Sequence, residues 1–245
     1  MPYLYALADT EDLLLPAVGI AEKPLRTVTH AGIVAVISDA PPGRLRPERR
    51  LLAAHQNVLR ELMKQRTILP VVFGVVPGST ADLKSILVAH ADALAEQLAR
   101  VRDRVEMTLR VAWDVPNIFL DFVERHRDLR DARDTVVDSG AHDAKMRAGR
   151  LFEQLRDQER EAHNAAVRQH IDPIAFEIVE NAPRADADVL GMACLVDRPR
   201  LPDFEAAVHA AAHGFDDRFR FDFSGPWAPH SFVRMDLSVP ESADA

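Results

Sequence analysis

The sequence predicts an α+β protein of two ferredoxin-like sheet-and-helix units connected by helices. Three observations carry this. Short strand-type segments, either alternating or continuously apolar, lie towards both ends of the chain, with amphipathic helical stretches between them. Residues 117–171 contain no proline and are dense in Asp and Arg, so they read as helices with solvated faces. The order strand, proline, helix, alternating strand, tryptophan, proline occurs twice. It runs from 71–76 to Pro116, and again from 189–196 to Trp227 and Pro229.

The elements follow in order. Residues 3–8 form a first strand, and a loop follows around 9–12. Residues 31–38 are a buried strand, stopped by Asp39-Ala-Pro-Pro-Gly43. A helix begins near Pro47, which suits a first helical turn, and Leu51, Leu52, His55, Val58, Leu59 and Leu62 trace one face of it. Residues 71–76 read as another buried strand, stopped by Pro77-Gly78. Ser79 or Thr80 caps the next helix, over 80–103, with Asp82 in its first turn. Residues 105–113 alternate, with Val105, Met107, Leu109, Val111 and Trp113 on one face and Glu106, Thr108, Arg110 and Ala112 on the other. This strand completes the first unit. Two helices, 117–134 and 140–170, meet near Asp138-Ser-Gly140. A strand at 189–196, a helix at 202–214 and a strand at 219–223, broken by Ser224-Gly-Pro226, complete the second unit. The domains predicted are 1–115, linking helices 116–171, a second α+β domain 172–240 and a flexible tail 241–245.

Composition narrows the function classes. A net charge of −8, with basic residues interleaved among acids, argues against nucleic-acid binding. The longest apolar runs are strand-sized, so membrane insertion is not expected. One cysteine, Cys194, excludes an internal disulfide and suggests a reducing compartment, and no secretory signal is visible. The cytoplasm is the expected location.

No motif carries recognisable chemistry. Gly74-Val-Val-Pro-Gly-Ser-Thr80 lacks the lysine and the spacing of a phosphate-binding loop, and reads as a strand-to-helix turn. His209 and His213 have zinc-helix spacing, but Ala210 stands where a general base would be and no third ligand is evident. His163 and His170 read as helix-face residues. Cys194 sits in an apolar strand with nothing beside it in sequence to lower its pKa. Ser231 beside His230 is a local pair, without the separately oriented base of a triad. The expectation is a non-enzymatic interaction protein with no cofactor and no metal. A small-molecule enzyme on a ferredoxin-like scaffold and a self-associating regulatory module are the alternatives.

The richest stretch is near the end. Phe219, Phe221 and Phe223 alternate with Arg218, Arg220 and Asp222, and Ser224-Gly-Pro-Trp-Ala-Pro-His-Ser-Phe232 follows. It resembles the C-terminal signature of the GvpF/GvpL family of gas vesicle proteins, in which a strand runs into a Gly-Pro-Trp-Pro-Pro-Tyr-Ser-Phe-like segment. Here Ala228 and His230 replace a proline and an aromatic. The opening Tyr3-Leu-Tyr-Ala6 and the segment Arg66-Thr-Ile-Leu-Pro-Val-Val-Phe-Gly-Val75 are similar to that family in the same order. The resemblance implies two α+β units bridged by helices. It also implies an accessory or minor structural role in gas vesicle assembly, in the cytoplasm. The partners it implies are the hydrophobic shell protein GvpA and other gas vesicle accessory proteins. Phe219, Phe221, Phe223, Trp227 and Phe232 are the structural or partner-contact candidates. Trp227 is expected to be largely buried against the second sheet, and binding is expected through apolar contact at a sheet edge.

Overall fold

The opening residues are apolar on both strand faces, and they become the most enclosed strand of the protein. The computed structural model describes residues 1–43 and 45–234. Every residue of β1 (Pro2–Ala8) is buried. It pairs antiparallel with β3 (Ile33–Asp39) on one side and with the short β4 (Leu69–Pro70) on the other. The edge strand β2 (Arg26–His30) adds to β3, giving the order β2-β3-β1-β4. Helix α1 (Arg49–Met63) buries Leu51, His55, Val58, Leu59 and Leu62, while Leu52 stays partly exposed. Helices α2 (Thr80–Ala89) and α3 (Ala91–Val101) add Leu83, Ile86, Leu87, Leu94 and Leu98 to the core.

The second sheet has the order β6-β7-β5-β8, formed by β5 (Arg104–Trp113), β6 (Glu177–Glu180), β7 (Asp188–Asp197) and β8 (Phe219–Trp227). Helices α4 (Ile118–Arg125), α5 (Arg127–Ser139) and α6 (His142–Ile171) lie between β5 and β6 in the chain, and α7 (Leu201–Ala212) lies between β7 and β8. Strand–helices–strand–strand–helix–strand, in that sheet order, is the ferredoxin-like arrangement. The first sheet repeats the order, fourth-first-third-second, with the irregular stretch 9–25 in place of the first helical crossover.

This topology corrects several expectations. The strand at 105–113 does not close the first sheet; it is an interior strand of the second, between β7 and β8. The repeated units are therefore β1–β4 and β5–β8, and the segments 71–113 and 189–227 are not equivalent despite their shared order of elements. Its described residues fold as two compact units, one of residues up to 106 together with 225–234, the other of residues 107–224. Both crossings of the chain between them fall inside strands, β5 and β8, rather than at 115 and 171. The helices at 116–171 are no separate linker, since Phe122, Val123, Leu129, Val167 and Ile171 belong to the core of the second unit. The tail 241–245 lies outside the described residues.

No residue of the expected strand 71–76 enters the ladder; Leu69–Pro70, just before it, do so instead. Val72 is exposed and Gly74 takes a positive φ of 100°, so the segment is irregular. It stays tied to β1 where the Val71 N–H donates to the Tyr5 carbonyl and the Leu4 N–H to the Val75 carbonyl. The helix at 80–103 is broken at His90, and that at 117–134 at His126, where non-helical backbone separates two helices in each case. Ser79 provides the cap of α2, accepting the Asp82 N–H at 3.0 Å. Strands β2 and β6 are short, half-exposed and charged, so their alternation carries no usable signal. Strand β8 continues through Ser224-Gly-Pro to Trp227 instead of breaking there.

Candidate functional site

After β8 the chain forms a strap on the first unit. Ala228 and Phe232 are its buried anchors. Glu106 fixes its middle, with Oε2 accepting the Ser231 N–H at 2.8 Å and Oε1 accepting the Ser231 hydroxyl at 2.9 Å. Gln97 fixes its end, donating to the Arg234 carbonyl at 2.7 Å and accepting the Arg234 N–H at 2.8 Å. Burial pushes the Glu106 carboxyl above its usual pKa, against the lowering effect of the two Ser231 bonds. Burial also depresses the His230 imidazole. Its Nε2 is enclosed with no hydrogen-bond partner among the described residues.

Between strap and α1 lies a largely apolar groove lined by Leu59, Met63, Pro226, Trp227 and Ala228, with Gln56, Arg60, Glu106 and His230 as its polar members. Trp227 does not fill a core. It remains 45% exposed, which corrects the expectation that it packs away against the second sheet. The prolines on either side hold it at the surface of the first unit instead.

The other candidates separate into distinct settings. Phe219 and Phe221 pack at the rim of the second unit's core, Phe219 against Trp113, His163 and Phe215, and Phe221 against Phe215. Phe223 is 37% exposed and meets His209 edge-on. Phe232 lies buried in the first unit. The structure thus does not gather the five aromatics at one place. His213 Nδ1 donates to the His209 carbonyl at 2.6 Å, and His209 faces Glu205 at 4.0 Å. Cys194 is fully buried among the core residues of the second unit.

Two buried polar groups belong to no motif in the sequence. Alternation puts Glu106 on the polar face of its strand, yet it is 8% exposed. The second is a cluster on β1 and α1: the Tyr3 hydroxyl and His55 Nδ1 are 2.8 Å apart, and His55 Nε2 is 3.0 Å from the Val71 carbonyl. A carbonyl only accepts, so the proton sits on Nε2 and Nδ1 accepts from Tyr3. The Tyr5 hydroxyl meets Ser38 Oγ at 2.9 Å and accepts the Ile20 N–H at 2.8 Å. A histidine on an otherwise apolar helix face, together with Tyr-x-Tyr on a buried strand, is the available signal.

In the second unit a cleft is lined by Arg160, Asn164, Glu180 and Asn181. Arg160 and Glu180 are committed to structure. Arg160 donates to the carbonyls of Asp186 and Asp188, and Glu180 accepts from Arg168 and Asn164. No helix among the described residues is long and apolar enough to cross a membrane.

These features define a two-sheet α+β protein of the architecture found in solved gas vesicle proteins. The crystal structure of GvpF from Microcystis aeruginosa superposes with a TM-score of 0.83 at 23% identity, covering 96% of this chain and 99% of that one. The family model described as gas vesicle synthesis protein GvpL/GvpF matches residues 2–234, and the chain belongs to that family. Among its relatives, gas vesicle protein F of a Streptomyces species is 27% identical, covering 94% of this chain and 98% of the relative. Gas vesicle protein F of Dolichospermum flosaquae is 25% identical over 96% and 98%. Gas vesicle protein L of the Streptomyces species is 28% identical over 100% and 97%. The role of the chain lies in gas vesicle assembly, and the family is not a known family of enzymes.

Proposed function

We propose that this chain is a cytoplasmic accessory factor that holds the hydrophobic shell protein GvpA, together with other gas vesicle proteins, before and during assembly. The observation that supports this reading most is Trp227. It stands 45% exposed beside Leu59, Met63 and Pro226, on a segment fixed at both ends. A rigid tryptophan over an apolar groove is the kind of anchor that dominates binding energy at protein interfaces. A shell subunit with a gas-facing apolar surface is prone to aggregate until that surface is covered. Contact of this kind rests on apolar area, at roughly 25 cal/mol per Å², and not on exposed charge.

The test is co-purification of the chain with GvpA from vesicle-forming cells, followed by a pull-down across a salt series. Binding should persist in half-molar sodium chloride and strengthen in sulfate. Trp227→Ala should abolish capture while circular dichroism stays unchanged. Release of GvpA by salt, or full capture by the variant, would overturn the reading.

A further inference from the structure

Strand β8 is an edge of the second sheet, and about Phe221 its sequence sets Phe219 against Phe223 and Arg220 against the oppositely charged Asp222. We infer that the segment Phe219–Phe223 pairs antiparallel with the same segment of a second copy of this chain, joining two four-stranded sheets into one.

The backbone sets the geometry. The Asp114 N–H donates to the Arg218 carbonyl, so residue 218 faces β5. Alternation along the strand then turns Arg220 and Asp222 towards β5 as well, and directs the N–H and C=O of Phe221 and Phe223 outward. A twofold axis at Phe221 makes that residue a hydrogen-bonded pair with itself. Phe219 then lies opposite Phe223 of the other copy, and Arg220 opposite Asp222.

The side chains set the register. Arg220 and Asp222 lie on the sheet face away from the phenylalanines, paired with each other at 3.0 Å and Arg220 also with Asp114 at 3.1 Å. The side chains of Arg220 and Asp222 nonetheless stay 46% and 54% accessible to a second strand. Each copy offers one charge of each sign, so both cross-strand pairs are opposite in sign. A twofold axis at Phe219 would instead set Arg220 against Arg218. An axis at Phe223 would set Arg220 against Pro226 and Asp222 against Ser224. Charged residues usually keep edge strands apart. Here their placement repels one wrong register, leaves the other without a charge match, and matches the third. The contact is isologous, so it closes at two copies.

Sedimentation velocity of the full chain over a concentration series tests this. The wild type should shift from monomer to dimer within the micromolar range. Arg220→Asp alone and Asp222→Arg alone should each raise the dissociation constant by about tenfold or more, because each sets like charges opposite one another twice. An equimolar mixture of those two variants should regain the dimer. In the mixed pair the two introduced charges face each other, and the retained Arg220 of one copy faces the retained Asp222 of the other. Arg220→Asp/Asp222→Arg in one chain should also dimerise. A wild type that stays monomeric to several hundred micromolar would overturn the inference. So would single variants that dimerise like the wild type, or a mixture that stays monomeric.

Discussion

Glu106 holds Ser231 with both carboxylate oxygens, one on the backbone N–H at 2.8 Å and one on the hydroxyl at 2.9 Å. The two residues are 125 positions apart, and their contact fastens the end of the described chain to the first unit. Burial of the carboxyl raises its pKa, and the two bonds from Ser231 act against that rise.

Ser231→Ala removes the hydroxyl and leaves the backbone bond. The expected loss is about 1–2 kcal/mol, in the range for a hydrogen bond to a charged acceptor. Urea denaturation measures it. A change within about 0.3 kcal/mol would show that the strap is not held there.

Trp227→Ala should cost less than about 2 kcal/mol, because nearly half of the side chain is already in water. Trp113→Ala is the comparison. Trp113 is 3% exposed and packs against Phe122 and Phe219, so its truncation should cost about 3–5 kcal/mol. Equal losses in the two variants would place Trp227 in a core.

His55 predicts acid sensitivity. Burial lowers its pKa from 6.5 to about 4, and nearby His230, also depressed by burial, opposes its charging. The folded state binds the proton more weakly than the unfolded chain. Stability is therefore full above about pH 6.5 and declines as pH falls towards 4, by at most about 3 kcal/mol from His55. Glu106 acts in the opposite sense, since its raised pKa favours the folded state as its carboxyl protonates. Denaturation at about pH 7.5 and about pH 4.5 should show the decline in the wild type and a flatter profile in His55→Gln. An identical profile in the variant would remove His55 as the cause.

Gly19→Ala should destabilise sharply, because a methyl group there overlaps the Tyr5 hydroxyl, which Ser38 and the Ile20 N–H hold in place. We expect a loss of about 2 kcal/mol or more, the range of an overpacked core. In a Tyr5→Phe background the same substitution should cost less, since the closest atom is gone. Strict additivity of the two substitutions would show that they do not meet.

Much of the local structure is legible in the residues. The apolar face of α1, the Ser79 cap, the buried run of β3 and the alternation of β8 each follow from periodicity and side-chain chemistry over a few neighbouring positions. The resemblance carried by Tyr3-Leu-Tyr-Ala6 and the Gly-Pro-Trp segment points to the family that the chain matches over residues 2–234. The irregular course of 71–76 is not legible, because Val71 and Val75 bond to β1 without extending the ladder.

The sequence by itself determined which faces of which segments are apolar, and hence an α+β protein of two units. Only the tertiary structure decided what those faces meet. Strand β5 alternates in the same way whether it closes the first sheet or sits inside the second, and pairing with β7 and β8 settles the matter. Glu106 reads as a solvated residue until the strap arrives from 125 positions away to cover it. Trp227 reads as core until it proves to stand half exposed at the wall of a groove. Periodicity reports that a side chain avoids water, while the choice of neighbour depends on contacts between residues far apart in the chain, and no local pattern encodes these.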